Sequence, residues 1–98
     1  MADYFLVERA RGPAWDHSRS RREQHGWDEH AAFMDGLVEE GFVVLGGPMG
    51  EGDGDNVLLI VDAPDEAAVH ARLADDPWPD EQLTTASVTP WSVWLRPR

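Results

Sequence analysis

No cysteine occurs in the sequence, which removes disulfides, thiolate nucleophiles and cysteine-ligated zinc or iron–sulfur centres together. Any chemistry must come from histidine, carboxylates, hydroxyls or backbone. Positive charge is scarce as well: 8 Lys and Arg stand against 19 Asp and Glu, a formal net charge of -11. Nucleic-acid binding depends on cationic side chains displacing counterions from phosphates, so nucleic acid is set aside as a partner. The same imbalance speaks against an anionic membrane surface, and no apolar run approaches the ~20 residues that span a bilayer. No secretory signal pattern opens the chain, because the strand-like Tyr4, Phe5, Leu6 and Val7 come almost at once; the cytoplasm is the expected location.

What remains is ordinary globular content: 98 residues, 42% hydrophobic and 28% charged, enough for a single domain with one core. Five tryptophans are many for that length, and a domain this small can hardly bury all of them by itself.

Residues 3–9, DYFLVER, carry the aromatic and β-branched content of a first strand. Residues 10–26 show little apolar periodicity, hold Arg11, Arg19, Arg21 and Arg22 beside Gly12 and Pro13, and read as a long connection. From Trp27 to Gly41 the pattern is helical, with Trp27, Ala31, Met34, Leu37 and Val38 forming one stripe. Asp28 and Glu29 suit the positive end of its dipole, and Gly41 suits a left-handed stop. Residues 42–45 form a short apolar strand ending at Gly46, Gly47 and Pro48. A polar glycine-rich turn, residues 49–55, leads into a buried strand over 56–63, making a hairpin. Pro64 stands at the first position of a second helix that Asp76 and Pro77 stop. Residues 83–95 alternate as a final strand, with Pro90 marking an edge or bulge.

The order βαββαβ is that of an α+β, ferredoxin-like domain, an antiparallel sheet with both helices on one face. The other face then needs a cover. Two copies packing sheet to sheet as a homodimer would supply it, and would employ the surplus tryptophan.

His30, Gly41, the pair Gly47-Pro48, the pair Asp76-Pro77 and the closing run Val88-Thr89-Pro90-Trp91 recur in an order and spacing that resembles the YciI (YCII-related) family, over the first strand and nearly everything from Trp27 onward. The resemblance implies a dimeric α/β barrel with a His/Asp site, carried here by His30 and Asp76. It also implies proton-transfer chemistry of the isomerase, lyase or dehydrochlorinase kind. The arginine-rich stretch 10–26 is longer than the family pattern.

The residues support the same site independently. On a helix His30 lies three after Trp27, four before Met34 and seven before Leu37, so it shares the apolar stripe. An imidazole there could act as general base or acid, its tautomer fixed by a carboxylate; the plainer reading is a core histidine satisfied by one hydrogen bond. Asp76 precedes a proline and is aimed out of the helix end, although by itself it reads as part of an acidic surface run with Asp75, Asp80 and Glu81. Substrate contacts are expected from Trp27, Gly47, Pro48 and Trp78, the last as a wall for a planar ligand or else as buried interface. Arg22, in a cluster with Arg19 and Arg21, could clamp a carboxylate or phosphate, though such clusters usually stay solvated.

Other signals fail. The run Gly50-Glu51-Gly52-Asp53-Gly54 joins two strands, whereas a dinucleotide fingerprint must open a helix. His25 and His30 are one residue too far apart for a zinc-protease motif, and Asp53 and Asp55 lack the late glutamate of a calcium loop. Ser87 and Ser92 have no nucleophile-elbow context. The reading is a cofactor-independent, metal-free enzyme in which His30 moves a proton on a small organic acid or ring compound. The alternative is a non-catalytic small-molecule-binding or accessory module in which His30 is structural.

Overall fold

A computed structural model describes residues 2–51 and 54–97. The elements follow as β1 (Tyr4–Arg11), a 3-10 turn (Arg21–Glu23), α1 (Trp27–Glu39), β2 (Val43–Pro48), β3 (Val57–Val61), α2 (Glu66–Leu73) and β4 (Leu83–Trp91). The strands form one antiparallel sheet in the order β2-β3-β1-β4. This is the expected α+β, ferredoxin-like arrangement. Val7, Leu59 and Val61 from the sheet meet Leu37 of α1 and Val69 and Leu73 of α2 in one core, so both helices cover the same face. Among the described residues no helix is long and apolar enough to cross a membrane.

Alternation decides which side chains reach that core. Val7 and Arg9 of β1 and Leu59 and Val61 of β3 are buried, while Leu6, Leu58 and Ile60 on the opposite face are only partly covered. Both edge strands break the alternation. In β4 the register shifts between Glu8 and Arg9, so Val88 stands opposite Val7 and Leu83 opposite Arg11. Residues 83 and 88 differ in parity and can face the same side only because of that bulge. In β2 a similar shift turns Val43 inward, opposite Val61, and Leu45 outward, opposite Ile60.

Several boundaries differ from the sequence expectation. β1 runs on to Arg11 because β4 keeps pairing with it as far as Leu83. β3 begins at Val57 and ends at Val61, at the limits of its partner strands. α2 starts at Glu66, not Pro64: Asp65 is the cap, its carboxylate accepting the Ala68 amide at 2.8 Å, which leaves Pro64 outside. β4 stops at Trp91, whose partner Tyr4 is the first residue of β1, and Trp94 and Leu95 beyond it are 90% and 92% exposed. Gly52 and Asp53 of the expected turn lie outside the described residues.

The larger difference is in the segment read as a connection. Residues 12–26 fold inward, placing Trp15 in a second core with Trp78 and Leu83, against which Trp27 packs. Gln24, 4% exposed, organises the segment: its amide nitrogen donates to the Asp16 carbonyl at 2.7 Å and the Arg19 carbonyl at 3.1 Å, and its oxygen accepts the Asp16 amide at 3.1 Å. Trp15, Trp27 and Trp78 therefore gather around His30 and Leu83 within the domain, so three of the five tryptophans are used without a second copy.

α1 ends as expected at Gly41, with φ 79°. The Gly41 amide donates to the Val38 carbonyl and the Phe42 amide to the Leu37 carbonyl, both at 3.0 Å, the paired bonds of a Schellman stop. A Cβ at Gly41 meets nothing within 4 Å, so its substitution tests backbone conformation alone. Gly41→Ala is expected to lower unfolding free energy by about 1 kcal/mol. Gly36→Ala, in the interior of the same helix and equally unobstructed, is expected to raise it by about 0.5–1 kcal/mol. Urea titration of the two variants should show midpoints moving in opposite directions.

Candidate active site

Three elements deliver one side chain each to a common point. β1 contributes Arg9, on the inward parity shared with Val7; α1 contributes His30, one turn in from Trp27; the turn after α2 contributes Asp76. All are buried, at 2%, 6% and 8% exposure. The Asp76 carboxylate accepts from His30 Nδ1 at 2.8 and 2.9 Å, from Arg9 Nη1 at 2.7 Å, and from the Trp78 amide at 2.9 Å. Proline at 77 keeps Asp76 out of helical geometry, and the Trp78 amide then closes a short turn onto its own upstream carboxylate.

Burial pushes the Asp76 pKa up, but the hydrogen bonds from His30, Arg9 and the Trp78 amide outweigh it and hold the carboxyl below its usual value of 3.8. An ionised carboxylate only accepts, so His30 Nδ1 must carry the hydrogen. In the neutral ring this leaves a lone pair on Nε2, to which no described residue hydrogen-bonds.

Aromatic rings fix the imidazole in place. Trp78 lies parallel to it, centroids 3.8 Å apart and planes 9° apart, and Trp27 flanks it at 5.9 Å. Trp15 meets Trp78 edge-on at 5.5 Å, with the Arg11 and Arg21 guanidinium groups over its ring at 4.8 and 5.1 Å. Trp78 Nε1 donates to the His25 carbonyl at 2.7 Å, which ties this stack to the start of α1. Gly26, at φ 77°, makes that approach possible: a Cβ there would come within 3.3 Å of Trp78 Nε1.

His30 opens onto a cleft of about 260 Å³ between α1 and the β2–β3 end of the sheet. Trp27, Met34 and Val38 of α1 line one side, and Val43, Gly47, Pro48, Val57 and Leu59 the other, with Arg9, Arg21 and Leu83 also reaching it. The inward arc of α1 is thus divided: Leu37 goes to the core, whereas Trp27, His30, Met34 and Val38 face the cleft.

Of the residues singled out from sequence, His30 and Asp76 are in direct contact, and Trp27, Gly47 and Pro48 line the cleft. Trp78 does not line it; at 2% exposure it packs against His30 and Trp15. Arg22 points to solvent, and it is Arg21, its neighbour on the 3-10 turn, that reaches the cleft. Arg9 was not anticipated, nor was Trp15. The signal for Arg9 was available: its position repeats the parity of Phe5 and Val7, so a strand with an apolar inward face carries one cation on that face. Among the described residues no group of three or more His, Asp or Glu is placed to hold a metal ion.

Fold and site together define a small ferredoxin-like domain with a buried histidine–carboxylate–arginine cluster at the foot of an apolar cleft. The chain matches the family model of the YCII-related domain over residues 5–92, and it belongs to that family. No curated protein and no solved structure matches it.

Two measurements probe the cluster. Arg9→Met strands a buried carboxylate and Asp76→Asn a buried guanidinium; each should cost about 3–5 kcal/mol of stability, and the double variant clearly less than the two added together. Because the native Asp76 pKa lies below the unfolded one, its contribution is complete above the ordinary aspartate value and disappears as pH falls through the lowered native value. Stability followed below about pH 5 should therefore fall more gently in Asp76→Asn than in the parent, since the variant has no proton to gain there.

Proposed function

We propose that this domain is a cofactor-independent enzyme in which His30 is the general base and Asp76 its orienting partner. The single observation that carries the reading is the bond from His30 Nδ1 to an ionised, buried Asp76, which leaves Nε2 as the basic atom of a ring that lines a cleft. An imidazole held in one tautomer, rigid against Trp78, is prepared to take a proton from a bound molecule and to return it, the requirement of isomerisation or elimination. During that step the imidazolium gains a counter-charge in Asp76, which is already anionic and needs no rearrangement. The cleft admits a small, mostly apolar substrate, for which a ring compound or a small organic acid is a fitting size.

The reading includes a homodimer formed through the outer sheet face. Leu6, Leu58 and Ile60 occupy the parity opposite the core, and Leu45, opposite Ile60, is 65% exposed. An apolar strip on the uncovered side of a sheet favours association with a second copy. Sedimentation at micromolar concentration is expected to give twice the 11.0 kDa chain mass, and Ile60→Glu to return it to the monomer value.

The base assignment is checked by long-range proton–nitrogen NMR of the imidazole. Neutral His30 should show the hydrogen on Nδ1 and a bare Nε2, and Asp76→Asn should lose that preference. A parent ring with its hydrogen on Nε2 would sink the proposal.

A further inference from the structure

The cluster holds more hydrogen-bonding capacity than its internal contacts use. A guanidinium carries five N–H donors in a planar fork. Arg9 places Nη1 on Asp76 at 2.7 Å and makes one long contact, from Nη2 to the Leu83 carbonyl at 3.4 Å. Its Nε finds no acceptor among the described residues, although the side chain is 2% exposed. A buried donor left unmade is costly, so an unfilled guanidinium in an otherwise economical site calls for an acceptor. Arg9 and His30 both line the cleft, so a molecule seated there borders both residues.

We infer that Arg9 is the acid-recognising residue of the cleft, receiving a carboxylate of a small, flat, mostly apolar acid while the rest of that molecule lies along Trp27, Met34 and Pro48. The inference rests on the cleft reading of the preceding section and narrows its substrate class. Guanidinium and carboxylate are both planar and match edge to edge, which a flexible ammonium cannot reproduce. The lining is mostly apolar, with the exposed Asp35 its one carboxylate and Arg21 a second cation, and a seated ligand that displaces water strengthens the charge-assisted bonds to Arg9. Arg9 then touches two carboxylates at once, one from the protein and one from the ligand. The arrangement is balanced because His30, which shares the Asp76 carboxylate with Arg9, becomes a cation once it accepts a proton. The exposed Arg22, offered by the sequence for this role, would meet an acid only in bulk water, where a single ion pair contributes little.

Benzoate and benzamide, of equal size and differing in charge, serve as probes of the intact protein, followed by Trp27-sensitive fluorescence and by the Arg9 Nε–Hε NMR signal. Benzoate is expected to bind at least tenfold more tightly and to shift the Arg9 signal. In Arg9→Lys, which keeps a positive partner for Asp76 and hence the fold, the preference should drop below threefold. Equal binding of the two probes, no binding of either, or an acid preference that persists in Arg9→Lys would each overturn the inference. The His30 tautomer is measured without ligand, so the two readings fail separately: lost acid preference with the expected tautomer removes only the role of Arg9, and the opposite result removes only the base.

Discussion

Asp76 is an anion taken out of water, and a buried carboxylate is tolerated only when donors replace the solvent it has lost. Here the donors come from β1, from α1 and from the turn that holds Asp76 itself. Each must be delivered at its place, so the requirement reaches back into the fold: β1 has to present Arg9 on its inner face, and α1 has to turn His30 away from solvent. The bulge opposite Glu8 and Arg9 belongs to the same requirement, since it lets Leu83 face inward and put its carbonyl beside Arg9. Structure and candidate chemistry are built from one set of contacts.

The second small core follows from the size of the domain. A chain of 98 residues has little interior to spare, and a charged cluster occupies part of it. Residues 12–26 compensate by folding Trp15 beneath the sheet end, where it braces Trp78, which in turn braces His30. A segment without regular secondary structure thus acts as packing material, held by Gln24 where strands and helices would use ladder bonds. The guanidinium groups of Arg11 and the buried Arg21 lie over the Trp15 ring, so this layer couples aromatic packing to two cations.

The fold was legible in the sequence because it is written in periodicity: the stripe of α1, the alternation of the strands and Gly41 at the helix end are local signals with local causes. His30 was legible for the same reason, sharing the spacing of Trp27 and Met34. Asp76, Trp27, Gly47 and Pro48 were also named, Asp76 mainly through the family resemblance, but Arg9, Trp15 and the contacts that join them were not, because these depend on where distant segments meet. Only the following Pro77 sets Asp76 apart locally from Asp75, which is exposed one residue away; what buries it is its meeting with Arg9, 67 residues earlier, and His30. Arg9 itself was read as the last residue of a strand, although its parity marked it as inward. Trp78 and Arg22 were given to a ligand because their types suit one, but a large ring packs as readily behind an imidazole as in front of it, and of the two neighbouring arginines on the tight turn it is Arg21 that reaches the cleft. Pro90 marked β4 as an edge strand or a bulged one, and it is both, but the register shift falls at residues 85–87 and not at the proline, and the shift in β2 had no sequence signal.

The wall behind His30 has a directional consequence. With Nδ1 turned to Asp76, one ring face laid on Trp78 and Trp27 at its flank, His30 keeps only 6% of its surface exposed, and the residue borders the cleft. Any molecule filling the cleft therefore stands between the nitrogen and bulk water. If His30 acts as the proposed base, a hydrogen ion lifted from such a molecule would have its own donor as the nearest place to go, and the enclosure would favour moving it from one atom to another within the guest over exchanging it with the surroundings.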